Sequence, residues 1–169
     1  MTDTEEINAM RAARALREKN RAALINSVRL LVKWDHSKPS AAAGGYAEGK
    51  YPDIFTPDGL FETPFSPPEF INVRRGRKEF EFEAEMRYNL FDHYKWNEPF
   101  EVHDLVDPNK FILFTTGEGQ SKAGAKYSNS YVFFVTMQDG KIAHLRQYFD
   151  SRRCAPILTE TADAEPDHD

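Results

Sequence analysis

From Lys95 to Phe149 the chain is almost continuous strand pattern. Four segments rich in β-branched and aromatic residues, Lys95–Val106, Phe111–Glu118, Tyr127–Met137 and Ile142–Phe149, follow one another. They are separated by a DPN turn at Asp107–Asn109, a glycine-containing loop, and a QDGK turn at Gln138–Lys141. Connections this short bring a strand back beside the one before it, so the segment predicts an antiparallel meander.

The residues before it supply what the sheet must cover. From Ala13 to Val32, apolar positions including Leu16, Leu24, Ile25, Val28 and Leu31 recur at helical spacing among charged residues. That spacing predicts a long amphipathic helix lying across the sheet. Lys33–Thr56 then breaks the pattern with Pro39, Gly44, Gly45, Gly49 and Pro52, as a long loop with one short helical piece would. Pro57, Asp58 and Gly59 form a turn that launches the strand GLFETPF, and a second short strand lies around Ile71–Val73. Gly76–Phe91 returns to helical spacing, with Phe80, Ala84, Tyr88 and Phe91 on one stripe.

At 169 residues the chain has one domain's worth of core. It divides into a flexible N-terminus (1–12), a single domain (13–153) and an acidic, disordered tail (154–169). The fold class is α+β: a curved antiparallel sheet wrapped around the N-terminal helix, making a cone with one open mouth and room for a small molecule.

Composition narrows the ligand. Thirteen Phe, seven Tyr and two Trp are a heavy load of rings for this size, and they suit either the core or a ring-lined cavity. A net charge of −5 argues against a nucleic-acid partner, and the basic run Arg74, Arg75, Arg77 and Lys78 suits a solvated loop leading into a helix. One cysteine, Cys154, excludes an intramolecular disulfide and a cysteine-rich metal site, and the five histidines lack paired-ligand spacing. No metal is expected. With neither a signal-peptide pattern nor an apolar run long enough to span a bilayer, the expectation is a soluble cytoplasmic protein with no membrane partner. Neither GxGxxG, a Walker motif nor GxSxG occurs, so nucleotide-binding and serine-hydrolase readings fall away.

Six stretches carry a more specific likeness: LREKNRAAL, IFTPDGLFETPF, the pair Gly76–Arg77, DPNKFILF, YSNSYVFF and QDGKIAHLRQYFD. In this order, over Leu16–Asp150, they resemble the SnoaL-like branch of the nuclear transport factor 2-like superfamily, especially phenazine-biosynthesis proteins of the A/B type. The resemblance implies an α+β cone, a homodimer packed through the outer face of the sheet, and an enzyme with no metal or organic cofactor. Activities in that superfamily include isomerases, dehydratases, aldol-type cyclases, epoxide hydrolases and lyases on aromatic compounds, beside members that only bind. The phenazine proteins carry a glutamate at the position of Gln147, and a histidine and a serine at those of Glu83 and Arg87. Their tyrosine is kept as Tyr127. The pocket thus keeps its shape and changes its proton inventory, which puts phenazine assembly itself in doubt.

The candidate catalytic residues are Glu83, Arg87, Tyr127, Gln147 and Asp150. Glu83 and Arg87, four apart, share a helix face, and the resemblance turns that face inward. There the carboxylate would act as base and the guanidinium would stabilise an enolate or phenolate; on an outward face the two would be an ordinary surface ion pair. Gln147 can orient or polarise but exchanges no proton at neutral pH. Tyr127, Asn129 and Tyr131 alternate onto one strand face, with Tyr127 as oxyanion donor. Asp150, three after Gln147, reaches the same side only through a bulge and is the reserve base. Tyr46, Tyr51, Phe61, Asn129 and Tyr131 are the candidate substrate contacts, with His36, Lys33 and Lys50 as further acid/base groups beside the long loop. The expected function is a cofactor-independent lyase, isomerase, dehydratase or cyclase acting on a small aromatic or polyketide-like substrate, a phenolic or lignin-derived diaryl compound being one case. The alternative is a non-catalytic small-molecule binding protein of the same fold.

Overall fold

The structure, a computed structural model, describes residues 2–31 and 51–162, with side chains to residue 158. Tyr46, His36, Lys33, Lys50 and most of the predicted 33–56 loop lie outside the described residues.

Helix α1 spans Asp3–Leu30, starting ten residues before the apolar periodicity does. Its start is set by a capping box: the Thr2 hydroxyl accepts from the Glu5 N–H, and Glu5 Oε2 accepts from the Thr2 N–H at 2.7 Å. Asp3, Glu5 and Glu6 then complement the positive end of the helix. Residues 3–12 belong to this helix, with Ile7 and Met10 exposed. Only the second half packs inward, burying Asn20, Leu24, Ser27, Val28 and Leu31.

The strands are β1 (Phe55–Glu62), β2 (Val73–Arg75), β3 (Phe91–Trp96), β4 (Glu101–Asp104), β5 (Lys110–Ser121), β6 (Lys126–Gln138) and β7 (Lys141–Phe149). Helix α2 (Arg77–Leu90) precedes β3, and α3 (Ala155–Ala162) ends the described chain. Strand order is β2-β1-β7-β6-β5-β3, with β4 also beside β5. The β5–β6–β7 meander is antiparallel as expected, and Asp139 and Gly140, both at positive φ, form its last tight turn.

Three expectations are corrected. The sheet is mixed, not wholly antiparallel, because β1 joins β7 in parallel. Pro57–Gly59 does not launch a strand: it lies inside β1, at a register shift between Phe55 and Leu60. The single strand expected over Lys95–Val106 is two, β3 and β4, which pair with opposite ends of β5 and are divided around Pro99, a residue that cannot donate to a ladder. At the far end, residues 155–162 are helical and Ile157 is buried.

The core lies between the concave face of the sheet and the two long helices. Phe55 stacks on Phe80 with ring centroids 4.0 Å apart, and Tyr51 meets both rings edge-on. Trp96 Nε1 donates to the Val28 carbonyl at 2.8 Å, tying β3 to α1.

Candidate functional site

Beyond that core, between α2, β2, the ends of β3, β6 and β7, and α3, the described residues enclose a cavity of about 80 Å³. It is a slot, well below the roughly 300 Å³ at which sites for drug-sized ligands begin. Leu90, Phe91, Trp96, Phe149 and Ile157 supply apolar wall, and the polar groups cluster in three places.

The first is a carboxylate between two guanidinium groups. Glu83 on α2 is only 1% exposed. Its Oε1 accepts from Arg87 Nε at 2.9 Å and Nη2 at 2.6 Å, one helical turn on. On its other side Arg74 Nε lies 2.8 Å from Oε2, an ion-pair contact without hydrogen-bond alignment. Arg74 is 4% exposed and donates through Nη1 to the Thr63 hydroxyl at 3.0 Å. Both guanidinium groups lie over the Phe61 ring, at 5.0 and 5.9 Å from its centroid.

The second is a chain of phenols. Tyr94 donates to the Tyr131 hydroxyl at 2.8 Å, Tyr131 and Tyr127 share a hydrogen bond of 2.8 Å, and Asn129 Nδ2 donates to Tyr127 at 3.0 Å. Tyr94 reaches Tyr131 by crossing β5 at Gly117, where a Cβ would collide with its hydroxyl and with Trp96. Burial pushes all three phenols well above their ordinary value near 10, so they remain donors at neutral pH. Tyr127 and Tyr131 own two protons and share one hydrogen bond, which leaves one O–H for another acceptor. Either Tyr127 turns to Cys154 Sγ, 3.8 Å away, or Tyr131 turns to the cavity. Burial raises the Cys154 thiol as well.

The third is Gln147 on β7, 5% exposed and on the cavity wall, whose Oε1 has no hydrogen-bond partner among the described residues.

No family model and no curated protein matches this sequence. Solved structures do. A phenazine biosynthesis-related protein from Pseudomonas aeruginosa superposes with a TM-score of 0.70 at 19% identity, covering 88% of this chain and 91% of that one. A nuclear transport factor 2-like protein from Burkholderia xenovorans LB400 gives 0.60 at 16% identity, over 82% and 94%. This chain has the nuclear transport factor 2-like fold. A Pseudomonas putida protein provisionally described as a polyketide cyclase shares it, with a TM-score of 0.53 at 18% identity over 67% and 87%.

Within this fold, Glu83, Arg87, Tyr127, Tyr131 and Gln147 all reach the one cavity. Asn129 sits behind it: its side chain bonds Tyr127 and both backbone groups of Asp150, so it positions rather than contacts. Asp150 is exposed and caps the short turn Ser151–Cys154 by accepting from the Arg152 N–H at 3.0 Å. No bulge brings it inward. Tyr51 belongs to the aromatic core, and Phe61 is the floor beneath the guanidinium groups; neither lines the cavity. Arg74 and Tyr94 were missed. Arg74 belongs in sequence to a basic run that suits a solvated loop, yet on β2 it alone of Val73, Arg74 and Arg75 points inward. Its alternation within that strand was the available signal.

Proposed function

We propose that this protein is a cofactor-independent acid/base enzyme, a lyase, isomerase, dehydratase or cyclase, acting on a small aromatic or polyketide-like compound such as a phenolic or lignin-derived diaryl molecule. The observation that carries this reading is the buried phenol chain on the wall of the same cavity as Arg87, with one O–H left over for a ligand. Donors fixed in a dry cavity stabilise an oxygen as it gains negative charge, and they need no reorganisation to do so. Tyr131 is the donor to that oxygen and Arg87 its electrostatic partner. Glu83 is the one carboxylate on the cavity wall among the described residues, and its Oε2, not aligned with an N–H, is the candidate proton acceptor. Asp150 has no part in this scheme.

The protein acts in the cytoplasm as a homodimer joined over the outer face of the sheet. Phe114 and Phe134, both exposed there, and Tyr148, which packs against Phe134 at 5.8 Å, support that surface.

A second reading, a non-catalytic binding protein, is favoured by the clamp on Glu83 and by Gln147 standing where a proton-exchanging group would serve. Native mass spectrometry of the purified protein with phenols, diaryl lignin fragments, steroids and polyketide aldehydes separates the two. A ligand whose mass or abundance changes over time supports the enzyme, with Tyr131→Phe lowering its turnover by about 10²–10³-fold. A ligand retained unchanged supports the binder.

A further inference from the structure

The cavity's hydrogen-bonding inventory is lopsided. Arg74 and Arg87 face the Glu83 carboxylate and the Tyr127–Tyr131 pair has one O–H left over, whereas Gln147 Oε1 is a buried acceptor with nothing to accept from among the described residues. A buried carbonyl without a donor is destabilising, and most such groups in folded proteins are paired. The strand places this one for use. Gln147 pairs in register with Phe133, while Tyr131 pairs with Phe149, so Gln147 and Tyr131 are diagonal neighbours on the concave face, about 7 Å apart. Both side chains line the same cavity, and its apolar walls suit the faces of a small ring held between them.

We infer that Gln147 is a specificity-determining residue: it selects flat ligands that bring a phenolic or enolic O–H to its Oε1 while a carbonyl oxygen elsewhere on the ligand accepts from Tyr131. The inference rests on the reading of this cavity as the functional site, and it deepens that reading by naming the substrate class as hydroxylated aromatic or enolic carbonyl compounds. A site built to pair with a hydroxyl rejects the analogue that lacks it, because its own buried group is then stranded. The same position occupied by an acid would take the ligand's proton; the amide only holds it.

The probes are meta- and para-hydroxybenzaldehyde and their methyl ethers, titrated calorimetrically into the wild-type protein, Gln147→Leu and Tyr131→Phe. The expected result is that the wild type binds at least one phenol about tenfold or more tightly than its ether, the cost of leaving a buried acceptor unsatisfied. Gln147→Leu erases that preference while melting at or above the wild-type temperature, since it removes an unpaired polar group. Tyr131→Phe weakens phenol and ether alike, because both keep the carbonyl. Equal affinity for phenol and ether in the wild type overturns the inference, as does failure of the wild type to bind any of the four. So does a preference that survives Gln147→Leu, or a Gln147→Leu protein that does not fold, which makes the amide structural. Binding preference without turnover leaves this inference standing and removes the enzyme.

Discussion

Arg74 Nε lies 2.8 Å from Glu83 Oε2, and Arg87 holds the other oxygen of the same carboxylate from one turn along α2. A short edge strand and a helix are thereby joined through a charge that is 1% exposed. Removing one member of a buried ion pair strands the other, at a cost of about 3–5 kcal/mol. Glu83→Gln should lose stability on that scale in urea unfolding, and the double variant Arg74→Met with Glu83→Gln should recover part of it. A Glu83→Gln protein as stable as the wild type would show that the carboxylate is not the anchor of β2.

How much of this was legible follows from the period of each element. Tyr127, Asn129 and Tyr131 were placed on one face because strand alternation is strict, and Glu83 with Arg87 because helical i,i+4 spacing is. Alternation does not say which face is the cavity; the resemblance did that. Tyr94 is hidden because the strand pattern becomes clear only from Lys95, four residues into β3, and because its partner Tyr131 is 37 residues away. In the three-residue β2 only the alternation of Arg74 against Val73 and Arg75 marks it, a signal that the surrounding basic run masks.

Gly117 bears on the phenol chain directly. It leaves the gap through which Tyr94 reaches Tyr131, and an added methyl would meet the Tyr94 hydroxyl and Trp96 Cε3. Gly117→Ala should cost about 1–3 kcal/mol as an overpacked site. It should also lower turnover or ligand affinity in parallel with Tyr94→Phe. Unchanged stability by chemical denaturation would mean that Tyr94 does not occupy this crossing.

Acid sensitivity should centre on Glu62. Its carboxyl is held below its ordinary value first by the hydrogen bond from His144, then by Arg146, joining β1 to β7. A carboxyl depressed in the folded state stabilises the fold above the ordinary carboxylate range, and that contribution disappears as pH falls through the depressed value. Glu62→Gln should therefore lower stability at neutral and higher pH, change little in strong acid where Glu62 is already protonated, and so flatten the acid limb of the stability–pH curve. An acid limb identical to that of the wild type would assign the sensitivity to other carboxylates.

The alkaline limb should belong to the phenols. Burial raises Tyr94, Tyr127 and Tyr131 well above 10, so between pH 10 and the folded-state values the unfolded chain releases protons that the native protein keeps. Stability from these groups is complete below about pH 10 and falls as pH rises beyond it. Phenolate absorbance, followed together with circular dichroism during a base titration, should show at least these three of the seven tyrosines silent until the secondary structure is lost. They should then appear in the same transition as unfolding. If all seven ionise near pH 10 while the dichroism stays native, the three hydroxyls are not buried as a chain, and the oxyanion donor assigned to Tyr131 goes with them.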